Sequence, residues 1–197
     1  MKIKLIFGEP EKIRCDVIVY AITKEDFEKF KKGKKPIEQE VYKVAKSEHF
    51  RAKLYETYML DPTTATAAKK VLLVGLEDEK KVDLEKLRRV FSVAVDFADK
   101  NDEESITIAI PDIDNIKDSD VIRCAVEGIL LGNYKFSKYL SKDKQSKVKD
   151  ATIVYKIGNN DVKQAFDESR IMCENVIFVR DFVNESANVL HPETFAD

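Results

Sequence analysis

Metal-assisted or nucleophilic hydrolysis needs a clustered set of side chains: several carboxylates with His or Lys around paired metals, or a nucleophile with a base in reach. The sequence offers little such material. Its two histidines, His49 and His191, are far apart; the first closes a predicted helix, where a partly cationic ring suits the C-terminal dipole, and the second lies in the terminal segment. Acidic runs at 77–80 (EDEK), 99–104 (DKNDEE) and 112–120 (DIDNIKDSD) fall in predicted loops or helix ends and read as solvated. The last lacks the glycine and terminal glutamate of a calcium loop. No HExxH, GxSxG or phosphate-loop motif occurs, and six glycines leave little for a phosphate cradle. Cys15, Cys124 and Cys173 are odd in number and form no CxxC pair, so they read as buried free thiols. No residue is assigned a catalytic, cofactor-binding or metal-ligating role.

Five groups remain as candidates for contact. Lys29, Lys31, Lys32, Lys34 and Lys35 form a basic loop, and a second set spans Lys138 to Lys149. Phosphate contacts through them would give salt-dependent nucleic-acid binding, yet Glu25, Asp26 and Glu28 dilute the field. Tyr134, Phe136 and Tyr139 could stack on a base, although packing of a helix end against a sheet is the expectation. Gly128 and Gly132, four apart on one helix, permit close approach of a neighbouring backbone. Arg180 falls on an otherwise apolar helix face with Asp181 and Asn184 nearby, so it is expected to be buried and bridged.

The elements that must position these residues alternate between two periodicities. Short β-branched runs at 2–7, 15–22, 53–60, 69–75, 104–110 and 151–157 predict six strands. Four helices are predicted: one opened by Pro36 and running to His49, one capped by Asp83, one capped by Ser119, and a long one from Asp161 to about Glu185. The long helix would place Val162, Phe166, Ser169, Cys173, Val176 and Val183 on one face. Residues between 22 and Pro36 read as a Lys-rich loop. This pattern predicts an α/β domain: a mixed six-stranded sheet with helices on both faces.

At 197 residues the chain suits one large domain, or one domain and the beginning of another. Charge is nearly balanced, with 34 Lys+Arg against 36 Asp+Glu and a net charge of −2. The 36% charged content exceeds the roughly 25% of ordinary soluble domains, which describes a heavily solvated surface around an ordinary core. No apolar run nears the roughly 20 residues of a membrane span, and the N-terminal apolar stretch is too short for a signal peptide, so a cytoplasmic protein with no membrane partner is expected. Pro192 and Glu193 look like the first turn of a helix with about six residues left, fewer than the roughly 12 to 15 an isolated helix needs. The chain is therefore expected to be the N-terminal part of a longer protein.

Three stretches together resemble the leucyl aminopeptidase (cytosol aminopeptidase) family in its N-terminal domain. EGILLGNYKFSKYLS at 127–141 is similar to the family's glycine-spaced helix and aromatic-basic turn. VRDFVNESANVLHPETFA at 179–196 is similar to its Arg-Asp-Leu-Val-Asn-Glu-Pro linker, with Ser186 in place of proline and His191 in place of a Thr or Ser cap. KKVLLVGLEDE followed by DLEKLRRVFSVAV is similar to its strand, Val-Gly-Leu turn and helix. The resemblance implies a macrodomain-like fold over residues 1–178, with 179–197 ending a linker helix and beginning a catalytic domain. It also implies a homohexameric parent that removes N-terminal residues, leucine by preference, using two divalent metal ions, Zn or Mn, held outside this stretch. The expected role here is non-catalytic: contact with the chain's own catalytic domain and sister subunits, and access to the active site. Alternatives are a nucleic-acid-binding module through the lysine sets and, from the fold, an ADP-ribose-type nucleotide site.

Overall fold

A computed structural model describes residues 1–61, 65–141, 144–186 and 188–189. Six strands form one sheet: β1 (Lys2–Phe7), β2 (Val17–Ile22), β3 (Thr57–Leu60), β4 (Lys70–Gly75), β5 (Ser105–Ala109) and β6 (Asp150–Tyr155). Their order is β1-β6-β5-β2-β4-β3, parallel throughout except for β3, which pairs antiparallel with β4 at the edge. Five helices connect them: α1 (Lys24–Phe30), α2 (Pro36–Ser47), α3 (Leu84–Lys100), α4 (Asp118–Gly132) and α5 (Asn160–Asn184).

Alternation along the central strands sorts the core into two layers. Val17, Val19, Leu72 and Val74 join α3, α4 and α5 on one face, whereas Ile18, Ile22, Val71 and Leu73 join α1 and α2 on the other. Both faces of β2 and β4 are therefore buried, as continuous apolar runs in a parallel sheet require. Gly128 and Gly132 do bring α4 close to α3: a Cβ at Gly128 would lie 2.3 Å from the Arg88 carbonyl oxygen, and one at Gly132 would lie 2.5 Å from Ser92 Oγ.

Several sequence expectations need correction. The Lys-rich stretch after β2 is not all loop. Thr23 Oγ1 accepts from Asp26 N at 3.0 Å and caps α1, which buries Phe27 against Tyr42 and Phe50. The strand expected at 53–60 starts only at Thr57, because Ala52 and Tyr55 take positive φ and the Glu56 carboxylate accepts from the Arg51 and Lys53 amides. Ser119 is not the cap of α4. Lys117 holds that place without a side-chain bond, and Asp118 and Asp120 favour the positive end of the helix instead. Along α5 the buried face ends at Cys173; Val176 and Val183 are exposed. All three cysteines are free and buried. His191, Pro192 and Glu193 lie outside the described residues.

Candidate functional site

A concavity of about 1260 Å³ lies beneath the distal half of α5. α4 and α5 run side by side in the same direction, with Arg123 bonded to Glu168 near their beginnings and Tyr134 bonded to Asp181 beyond the end of α4. The chain then turns away from α5 toward β6, so the distal half of α5 overhangs a groove lined by its own Ile177, Phe178 and Phe182 and by Leu130, Phe136 and Val148.

Polar groups at the rim tie the overhang down. Tyr134 Oη donates to Asp181 Oδ1 at 2.8 Å and accepts from Asn184 Nδ2 at 3.1 Å, while the Arg180 guanidinium stacks 4.3 Å above the Tyr134 ring. Glu185 takes both Lys138 Nζ and Tyr139 Oη. Those two hydrogen bonds hold its carboxyl down at about 2 against the usual 4.5. Below them Asp99 is nearly buried at the end of α3; burial alone would raise its carboxyl, but Lys135, the Lys147 amide and Ser146 outweigh it and hold it below the usual range. Ser146 also bonds Asn133, so the segment leaving α4 is fastened before it enters β6.

This arrangement changes two expectations. The Tyr134, Phe136 and Tyr139 cluster packs against the end of α5 and not against the sheet. Arg180 is exposed and held by a ring and not by a buried ion pair. Sequence reasoning missed Glu185, whose partners lie 46 and 47 residues away, and no local pattern announces such a pair.

A second concavity of about 750 Å³ opens at the carboxyl ends of β1, β2, β5 and β6, where open α/β sheets commonly bind ligands. It collects Lys29, Lys32, Lys34 and Lys35 from the predicted basic loop. Lys29 is spent on Asp26 and Lys35 on Glu11. Burial would push the Glu11 carboxyl up, but Lys35 and Tyr20 hold it below its usual value, so it stays ionised, and its Oε2 has no hydrogen-bond partner. An anionic carboxylate with an unpaired oxygen opposes a diphosphate in this cavity. In the second lysine set, Lys138, Lys147 and Lys149 face Glu185, Asp102 and Glu104, which breaks the basic surface into near-neutral pairs. Lys142 lies outside the described residues.

Among the described residues, no three His, Cys, Asp or Glu side chains gather into a group that could hold a metal ion. Also among them, no helix is long and apolar enough to cross a membrane. The donor set of a two-metal centre is thus not met by the residues described.

Comparison with known proteins gives both sequence relatives and similar solved structures. Residues 17–143 match the cytosol aminopeptidase family, N-terminal domain. A probable cytosol aminopeptidase of Clostridium perfringens is 30% identical over 159 residues, covering 77% of this chain and 31% of the relative. One from Persephonella marina is 35% identical over 129 residues, covering 64% and 26%, and one from Aquifex aeolicus is 25% identical over 197 residues, covering 100% and 39%. The chain therefore spans about a third of the length of the curated relatives it matches. Among solved structures, a tomato leucine aminopeptidase mutant superimposes with a TM-score of 0.79 at 18% identity, covering all of this chain and 40% of that one. The bottromycin maturation enzyme BotP in complex with Mn gives 0.66 at 19% identity, covering 93% and 35%. These two similarities support the fold alone.

Proposed function

The chain belongs to the cytosol aminopeptidase family, in its N-terminal domain, and from that premise we propose that it serves as the non-catalytic domain of a two-metal aminopeptidase. The observation that carries the reading is the match of residues 17–143 to that domain, which spans β2 through α4 and the aromatic turn beside α5. In such an enzyme two divalent ions, Zn or Mn, supply Lewis acidity and an activated water. No residue of this chain is assigned a step in that chemistry.

Residues 1–178 would form the domain proper, and 179–197 would carry the chain out of α5 toward the catalytic domain. The parent would be a cytoplasmic homohexamer acting on the N-terminal residue of peptides, leucine by preference. This domain would then act by subunit contact and by limiting access to the active site. The relative lengths support the division, since about two thirds of each matched relative lies outside the aligned stretch.

The test compares the longer polypeptide with a version lacking residues 1–178. The reading predicts that both bind Mn, and that the shortened form loses hexameric assembly or discrimination between short and long peptides. Unchanged assembly and peptide-length preference would contradict the assigned role.

A further inference from the structure

The cavity at the carboxyl ends of β1, β2, β5 and β6 has no part in the role proposed above. It opens at the switch point of the sheet. From β2 the chain passes to α1 and α2 on one face, and from the adjacent β5 it passes to α4 on the other, so a crevice forms between the two strand ends. Its volume of about 750 Å³ is within the roughly 300–1,000 Å³ of small-molecule sites. Ala21, Ile22, Ala109 and Val154 line it as buried apolar residues, and Tyr20 meets Phe30 edge to face with 6.2 Å between ring centroids.

Most charges around the cavity are already matched. Lys29 pairs with Asp26, Lys156 with Asp112 and Glu9 with Lys12, and Glu38 accepts from the Lys35 amide at 3.2 Å. Two features are left over. Glu11 accepts from Lys35 Nζ at 2.8 Å and Tyr20 Oη at 3.1 Å, both through Oε1, and its Oε2 is buried and unpaired in a side chain only 11% exposed. Buried carboxylate oxygens ordinarily have a donor. The Glu11 carbonyl accepts from Ala67 N at 2.8 Å, which ties this residue to the segment entering β4. Lys32 and Lys34 are exposed, and among the described residues their ammonium groups have no partner. The loop that carries them is pinned where Gln39 Nε2 donates to the Gly33 carbonyl at 2.8 Å.

We propose that this cavity binds a small zwitterion, an apolar amino acid or short peptide, whose ammonium docks on Glu11 and whose carboxylate is met by Lys32 and Lys34. The apolar side chain lies against Tyr20 and Phe30. An ammonium has three donors, so it serves both Oε1 and Oε2 where Lys35 serves one. The exchange displaces Lys35, which is half exposed and next to Lys34 in the chain, toward the ligand's carboxylate, and the charge in the cavity stays balanced. A purely anionic ligand faces the Glu11 carboxylate, and a purely cationic one faces the two free lysines. The proposal does not rest on the aminopeptidase reading, and it assigns a binding site and no chemistry.

Calorimetric titration of this chain with phenylalanine, the dipeptide Ala-Phe, phenylalaninamide and 3-phenylpropanoate separates the contacts, at about pH 6 where every amine is protonated. At least one zwitterion should bind at least about tenfold more tightly than the amide, which lacks the carboxylate, and the acid, which lacks the ammonium. The tighter of the two zwitterions identifies the source. Lys32→Ala combined with Lys34→Ala should abolish the preference over the amide and leave the melting temperature unchanged, since both side chains are exposed. Glu11→Gln should abolish the preference over 3-phenylpropanoate; its fold is checked by circular dichroism, and the ligand series on the unaltered chain does not depend on that variant. No binding of either zwitterion at about 10 mM, or equal binding of all four ligands, would overturn the proposal. Tightest binding of 3-phenylpropanoate would assign the cavity to anions, tightest binding of the amide would assign it to cations, and either result also overturns it.

Discussion

Asp16, just before β2, is the most heavily bonded carboxylate described, and its replacement by Asn should expose how the sheet is clasped. Its Oδ2 accepts from Ser105 N at 2.8 Å, Ser105 Oγ at 2.7 Å and Glu104 N at 3.1 Å, and Lys69 Nζ reaches Oδ1 at 2.7 Å. Its own carbonyl accepts from Lys70 N at 2.8 Å, so one residue joins the starts of β2, β4 and β5. Burial would raise the carboxyl, yet Lys69 and Ser105 pull it from 3.8 to about 2. A depression of nearly two pKa units corresponds to about 2 kcal/mol of folding free energy. Lys69 lowers the carboxyl most, followed by Ser105, but Lys69 is 76% exposed and screened by solvent, so about 2 kcal/mol is an upper figure. Because the folded value is depressed, this stability is complete above about pH 4 and disappears as pH falls toward 2. Asp16→Asn should therefore lower stability by up to about 2 kcal/mol at pH 7, or at most roughly 4–8 °C in melting temperature for a chain of this size. Circular dichroism melts at pH 7, 5, 4 and 3 should show the gap between the two proteins closing with acid. A variant as stable as the parent at pH 7, or a gap that persists unchanged at pH 3, would refute the electrostatic argument.

Gly128→Ala sets helix propensity, about 1 kcal/mol in favour of alanine, against a 2.3 Å approach to a backbone carbonyl that cannot rotate away. Overpacking should win by about 1–2 kcal/mol in urea unfolding, and a stabilised variant would show that α3 and α4 separate freely. Phe27→Ala removes the ring that anchors α1 and should cost about 3–4 kcal/mol, which a shift of less than about 1 kcal/mol would contradict. Glu185→Gln should speed amide exchange in residues 177–184 with almost no change in melting temperature, because the Lys138 and Tyr139 contacts fasten only the exposed end of α5. Acid should do the same as pH falls through the carboxyl's ordinary 4.5 toward its depressed 2.

What could be read from the sequence follows from how local each signal is. KVLLVG at β4 and the Asp83 cap of α3 declare themselves within a few residues, and both appear as expected, with Lys86 N donating to Asp83 Oδ1 at 2.8 Å. α1 has only Phe27 and Phe30 as apolar anchors amid charges, too few to register as a period, although Thr23 with Asp26 three residues later carries the capping signal. The strand expected at 53–60 runs past the start of β3 because Leu54 and Tyr55 look strand-like, whereas the turn before β3 depends on positive φ at residues without the usual glycine. In α5 the heptad-like apolar spacing is legible, but whether a given stretch is covered depends on where α4 stops. The groove beneath it depends on pairs such as Lys138 with Glu185 and Asp99 with Lys135, separated by 47 and 36 residues. Such contacts are set by topology and leave no local trace.

The most direct measurement is hydrolysis of a leucyl chromogenic substrate, with Mn or Zn added, by this chain and by the longer polypeptide under the same conditions. The account predicts metal-dependent turnover by the longer polypeptide and none above buffer by residues 1–197. Robust metal-dependent turnover by this chain alone would contradict the assignment of the chemistry to another domain.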